Sequence, residues 1–144
     1  MVNKIEVKVK KLRKDVKIPV HGTPEAAGFD LRSLDHYIIK PGQILKIPSG
    51  LAFEIPSGFF LLIASRSGLA VKGIVQLGSV IDSDYRGEIH MIMYNSGDEK
   101  YFIEKGDRIA QAVLMPVYRA EFKEVESLGE TKRGTSGFHS TGRK

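Results

Sequence analysis

The spacing of turn signals constrains this chain most. Pro41-Gly42, Ser49-Gly50, Ser57-Gly58, Asn95-Ser96-Gly97 and Lys105-Gly106 recur at short intervals. Proline fixes one backbone angle, glycine reaches angles other residues avoid, and Asn and Ser bond their own backbone, so each group favours a change of direction. The segments between them are short and rich in β-branched and aromatic residues: Tyr37–Ile39, Ile44–Ile47, Leu51–Ile55, Phe59–Ala64, Glu88–Tyr94 and Ala110–Val117. Residues 4 to 12 add an alternating run, with Ile5, Val7 and Val9 on one side and Glu6, Lys8 and Lys10 on the other, which predicts a half-buried strand. Strands divided by turns every eight to twelve residues or so predict an all-β sandwich, barrel or jelly roll. Helix is confined to a turn or two over Ser67–Val71, where a serine is placed to cap the first amides.

At 144 residues the chain has the size of one domain with a real core. Its character changes near Val125. From Ser127 to Lys144 only Leu128 and Phe138 are apolar, so this stretch cannot hold itself down by burial. We therefore divide the chain into a body, residues 1–126, and a flexible arm, residues 127–144. A lone aromatic among Gly, Ser and Arg has no use in a frayed tail, which makes Phe138 a candidate for contact with a ligand or another chain.

The net charge of +5 suits a soluble protein with an anionic ligand. Nucleic acid fits poorly, because the basic residues form no long stripe and no aromatic-rich motif accompanies them. A small polyphosphate fits better. The longest apolar run, Phe59 to Ala64, falls far short of the ~20 residues of a membrane span, and the start reads as strand and not as a signal peptide. There are no cysteines, hence no disulfides and no thiolate site; the cytoplasm is the expected compartment.

Five polar islands interrupt the strands. Ala27-Gly28-Phe29-Asp30-Leu31 reads as a turn entering a strand. Ser65-Arg66-Ser67-Gly68-Leu69-Ala70 offers a charged fork beside the amides of a helix start, an anion seat. Val80-Ile81-Asp82-Ser83-Asp84-Tyr85-Arg86-Gly87 places a carboxylate, a ring and a glycine in one turn of an apparent hairpin between strand-forming flanks. In Gly106-Asp107-Arg108-Ile109-Ala110-Gln111 the acid reads as the partner of an arginine and Gln111 as a phosphate contact. Arg133-Gly134-Thr135-Ser136-Gly137-Phe138-His139-Ser140-Thr141-Gly142 combines bare backbone, hydroxyls and charge, without the Gly-Lys-[Ser/Thr] of a P-loop. The four histidines, His21, His36, His90 and His139, show no ligand spacing, and no Gly-x-Ser-x-Gly elbow supplies a nucleophile. What remains suits direct attack of water on a phosphate ester with a divalent ion carried in by the substrate.

In order and over nearly the whole length, these islands resemble the five motifs of the homotrimeric deoxyuridine triphosphatases (dUTP diphosphatases). The resemblance implies a jelly-roll-like distorted β-barrel of the β-clip kind and a homotrimer whose sites draw on more than one subunit. It implies hydrolysis of dUTP to dUMP and pyrophosphate, which keeps uracil out of DNA and supplies dUMP for thymidylate synthesis. Asp82 would orient and deprotonate the water attacking the α-phosphorus. Tyr85 would pack beneath the deoxyribose and exclude a 2′-hydroxyl. Backbone around Ser79, Val80 and Ile81 would read uracil, with Gln76 and His90 beside the base. Arg66, Ser67, Gly68 and Gln111 would hold phosphates. Mg²⁺ would be gripped by the substrate's phosphates, with Asp30 touching its water shell. Phe138 would close over uracil while Arg133, Gly137 and Ser140 clamp the triphosphate. The chain departs from the family pattern in Ser79, which stands for a glycine, and Gln76, for an asparagine. Ser136 and His139 replace two glycines of the tail.

The nearest rival, a dCTP deaminase of the same fold, carries its catalytic glutamate within Leu-Glu a few residues beyond the turn glycine. Met91-Ile92 occupies that stretch here, which disfavours deamination. A non-catalytic nucleotide-binding module would not need Asp82 and the tail motif, both present. A capsid or lectin-like barrel explains the strands but none of the islands.

Overall fold

The computed structural model describes residues 3–78 and 80–138. The all-β expectation holds. Strands β1 (Lys8–Lys11), β4 (Ile44–Glu54), β8 (Glu88–Asn95) and β6 (Ile74–Leu77) form one sheet in the order β1-β4-β8-β6. Strands β2 (Gly28–Arg32), β10 (Arg108–Pro116), β5 (Phe59–Ala64) and β7 (Val80–Ile81) form a second, β2-β10-β5-β7. A ribbon of β3 (Tyr37–Ile39) and β9 (Tyr101–Ile103) completes the body, and α1 (Ser67–Ala70) is one helical turn. Every strand pair is antiparallel. The described strands form separate sheets and do not close into one ring of the barrel type.

Alternation explains the core. In β8, Ile89, Met91, Met93 and Asn95 point inward between half-exposed neighbours. They meet Leu31, Ile47, Leu61, Ile63, Ile74 and Ile109, all but sealed from solvent. Each such Leu, Ile or Met contributes about 1.5–3 kcal/mol by leaving water. Asn95 is tolerated because its amide donates to the Ile39 and Glu99 carbonyls at 2.9 and 2.7 Å, while its oxygen accepts from Gly97 N at 2.9 Å.

Four local expectations are corrected. Ser49-Gly50 is not a turn between two strands but a bulge inside β4, whose register against β8 shifts between Pro48 and Ala52. Gly50 has φ +70°, and a Cβ there would collide with Val16 and Leu34. The kink needs no solvent: Gly50 N donates to Glu88 Oε1 at 2.8 Å, and Leu12 N donates to the Gly50 carbonyl at 2.8 Å. Secondly, the strand over residues 4–12 is only Lys8–Lys11, because its partner β4 ends at Glu54, opposite Lys8. Thirdly, the Asp82 turn is not the tip of a hairpin. β6 pairs with β8, but β7 crosses to the other sheet and pairs with β5, so the turn is a corner between sheets. Finally, no serine caps α1; Arg66 stands at the cap position in extended conformation without a side-chain cap.

Candidate functional site

The second sheet gathers four of the five islands. Asp30 in β2 faces Gln111 in β10, which faces Ala64 in β5, and Arg66 follows two residues on. This row builds a cradle. Arg66 Nε meets Asp30 Oδ1 at 3.0 Å, and Arg108 Nη1 meets Asp30 Oδ2 at 3.4 Å. Arg66 Nη1 also donates to the Arg108 carbonyl at 3.0 Å, and Gln111 Nε2 donates to the Ser65 carbonyl at 2.9 Å. Two guanidinium groups against one carboxylate leave the cluster with a single positive charge, held in place before any ligand arrives. Ser67 and Gly68 open α1, where the first amides have no partner inside the helix. The cradle is an anion seat made of fixed parts.

Arg108 is the member that the sequence did not single out. The aspartate–arginine pairing expected of Asp107 falls instead on Asp30 with Arg108. Asp107 Oδ2 accepts from Glu104 N at 2.9 Å and closes its own turn. The Gly-Asp-Arg string was a signal for an ion pair, but which residue it joins depends on strands far away in sequence.

At the other end of the same sheet stands Asp82. It follows β7, which pairs Ile81 with Leu61, so Asp82 comes level with Phe60. Gln111 is level with Ala64, so the two rows lie four residues of β5, about 13 Å, apart along the strand. The chain therefore brings Asp30, Arg66, Ser67, Gly68 and Gln111 together, but leaves Asp82 apart from them. Asp82 is exposed, and its carboxylate makes no salt bridge among the described residues. Its carbonyl accepts from Tyr85 N at 3.2 Å. Arg86 knits the turn by donating to the Ser83 carbonyl at 2.6 Å. The Tyr85 hydroxyl donates to the Glu88 carbonyl at 3.1 Å, leaving the ring 45% exposed. Val80 is exposed and Ile81 half-buried beside this corner.

Gln76 and His90 are held by their own neighbourhood. Gln76 Nε2 donates to the Leu77 and Gly78 carbonyls at 2.7 and 2.9 Å, its Oε1 accepts from Ile92 N at 2.9 Å, and its own N–H donates to Ser65 Oγ at 2.8 Å. These bonds make it a positioning residue for the Leu77–Gly78 bend. His90 Nδ1 lies 3.0 Å from the Glu88 carbonyl, and Nε2 lies 3.7 Å from Glu88 Oε2. Ser79 and Ser140, with His139, fall outside the described residues.

The arm touches neither end of the sheet. Every described residue from Pro116 to Phe138 is exposed, and the last backbone bond to the body is Val117 N to the Gly58 carbonyl at 2.8 Å. Arg133 Nε donates to the Ser136 carbonyl at 3.1 Å, which curls the arm locally. Gly137 is exposed, and Phe138 is wholly exposed at φ +49°, a conformation uncommon outside glycine. A cavity of ≈ 250 Å³ lined by Lys72, Ile74, Asn95 and Tyr101 contains none of these residues, so the candidate site is an open surface and not an enclosed pocket.

Known proteins share this arrangement. The dUTPase family model matches residues 14–142. The deoxyuridine 5′-triphosphate nucleotidohydrolase of Nautilia profundicola is 51% identical over 142 residues, 96% of this chain and 100% of that protein. The dUTPase of Staphylococcus bacteriophage 80alpha, solved with dUpNHpp, superposes with a TM-score of 0.89 at 28% identity, covering 96% of this chain and 99% of that one. The dUTPase of phage phi11 of S. aureus, studied for the coordination of a structural Mg(II) ion, gives 0.79 at 25% identity over 85% and 98%. The match runs through the strands that carry the cradle, through the Asp82 corner and into the arm, and on that ground the chain belongs to the dUTPase family.

Proposed function

We propose that the chain hydrolyses dUTP to dUMP and pyrophosphate. The observation that carries this reading is a fixed anion cradle on the sheet that also bears an unpaired acid, in a chain of this family. A water held by Asp82 attacks the α-phosphorus. Its oxygen bonds to that phosphorus, the bond to the oxygen bridging to the β-phosphorus breaks, and the water's proton passes to the carboxylate. Aspartate is a weak base, so positioning and neutralisation of phosphate charge supply most of the rate. Arg66, Ser67, Gly68 and Gln111 bind phosphates, Tyr85 packs under the deoxyribose, and backbone around Ser79, Val80 and Ile81 reads uracil.

The donor set suits magnesium of the substrate-borne kind. Mg²⁺ keeps several waters and binds through one or two carboxylates plus substrate phosphates. The cradle offers one carboxylate, Asp30, at its centre. Asp30 would hold the ion through its waters, and the ion would neutralise charge on the phosphates.

The active form we propose is a homotrimer with shared sites, the trimer resting on family resemblance. Sharing is supported by the register: a stretch of about 13 Å separates Asp82 from the cradle within one chain. It is supported too by Tyr118, Phe122 and Leu128, which stand in water beyond the body and suit burial on another copy. In this reading residues 127–144 form an arm that closes over the bound nucleotide with Arg133, Gly137, Phe138 and Ser140. The enzyme works in the cytoplasm; among the described residues no helix is long and apolar enough to cross a membrane.

The test is incubation with each deoxynucleoside and ribonucleoside triphosphate plus Mg²⁺, with pyrophosphate and ammonia measured separately. Pyrophosphate from dUTP alone is expected; ammonia from dCTP would overturn the reading.

A further inference from the structure

Gly87 occupies an ordinary backbone conformation, outside the left-handed region that seven other glycines of the described chain adopt. Nothing in the turn's angles demands a glycine there. The demand comes from above. A Cβ on Gly87 would collide with Cζ and Oη of Tyr85 and would sit 3.1 Å from Cε2. Gly42 and Gly58 are the reverse, with positive φ and open space around them. The phenol end of Tyr85 thus fills the volume a side chain would take, and its hydroxyl holds the Glu88 carbonyl at 3.1 Å.

That carbonyl is itself anchored. The Glu88 side chain accepts from Gly50 N in the β4 bulge at 2.8 Å, and Ile89 beside it is buried in the core. The ring is therefore set by three things in series: the bulge, the Glu88 backbone and the missing side chain at Gly87. It cannot tilt upward without losing its hydroxyl bond, nor sink further.

We propose that Gly87 is a specificity-determining positioning residue. Its bare backbone fixes the height of the Tyr85 ring, and that height decides which sugar face can lie against it. The inference rests on the reading of Tyr85 as the platform beneath deoxyribose. A methyl group at position 87 lifts the ring into the space of the sugar. Deoxyribose then fits no better than ribose, which was already excluded.

The experiment compares wild type, Gly87→Ala, Tyr85→Ala and the double variant in pyrophosphate release from dUTP and UTP with Mg²⁺. In Gly87→Ala, kcat/KM for dUTP falls about tenfold through KM, and the preference for dUTP over UTP narrows by the same factor. In the Tyr85→Ala background the same substitution changes kcat/KM by less than about twofold, because no ring remains to be lifted. Equal losses in both backgrounds, or no loss in either, overturn the proposal. Thermal unfolding is measured alongside. If Gly87→Ala alone fails to fold while the double variant folds, the ring is the obstacle and the proposal stands. If both fail, the turn itself needs glycine and the proposal falls. A wild-type enzyme that turns over dUTP and UTP alike removes the platform reading, and the inference with it.

Discussion

The two ends of one sheet are built in opposite ways. At the cradle, Asp30, Arg66, Arg108 and Gln111 are tied to one another and to backbone carbonyls, so the charge that meets a phosphate is set in advance. At the corner, Asp82 is left without an ion partner on a turn whose backbone, not whose carboxylate, is braced. The difference follows from task. A group that only binds charge gains from being locked, whereas a base must keep its lone pairs for a water. It also teaches that neither end suffices, because β5 holds them apart.

Four experiments can break or sharpen this contrast. The largest effect is expected from Asp82→Asn, which should cut pyrophosphate release by about 10³-fold while a non-hydrolysable dUTP analogue still binds nearly as tightly. Near-normal turnover would show that the free acid is not the base. Deleting Arg133 to Lys144 should lower turnover about 10²-fold by leaving the nucleotide unclamped, with the melting temperature almost unmoved, since every described residue there is exposed. Collapse of the shortened protein would mean that the arm is structural.

Mixing addresses the separation directly. Asp82→Asn and Arg66→Ala chains, each nearly inactive alone, should recover activity in roughly a quarter of sites when unfolded and reassembled together, the share for random association. No recovery would place both ends of one site in a single chain, against the register.

The smallest effect concerns a surface cluster remote from both ends. Arg13 and then Lys105 bond Asp15 and hold its carboxyl at about 2, below its usual 3.8. A carboxylate lowered on folding stabilises the folded state above its unfolded pKa and loses that contribution as pH falls through the folded value. The small melting-temperature gap between wild type and Asp15→Asn should therefore be present near neutrality and close between about pH 4 and pH 2. A gap that does not change with pH would refute the assignment.

Much of the body was legible in the sequence because its signals are local. Phe59–Ala64 and Tyr37–Ile39 are the strands the apolar runs foretold, and alternation in Glu88–Tyr94 gave the inward face of β8. What escaped depends on partners. Ser49-Gly50 has the composition of a turn, and only Glu88 and Leu12, reaching it from other strands, make it a bulge. The Val80 to Gly87 stretch has the look of a hairpin, and only the pairing of β7 with Leu61 and Leu62 sends it to the other sheet. The site residues were found as motif members. That Asp30 is shared by two arginines, and that Gln76 spends its amide on backbone, could not be read from residue type alone.

The bonds of Gln76 have a consequence for the order of events. A bend stapled at three points is already shaped when a nucleotide diffuses in, so a base is accepted or refused on arrival, with little freedom left to surrender. The entropic toll of capture falls instead on the arm, and only after a fitting base is seated. Recognition comes early and cheaply, commitment late.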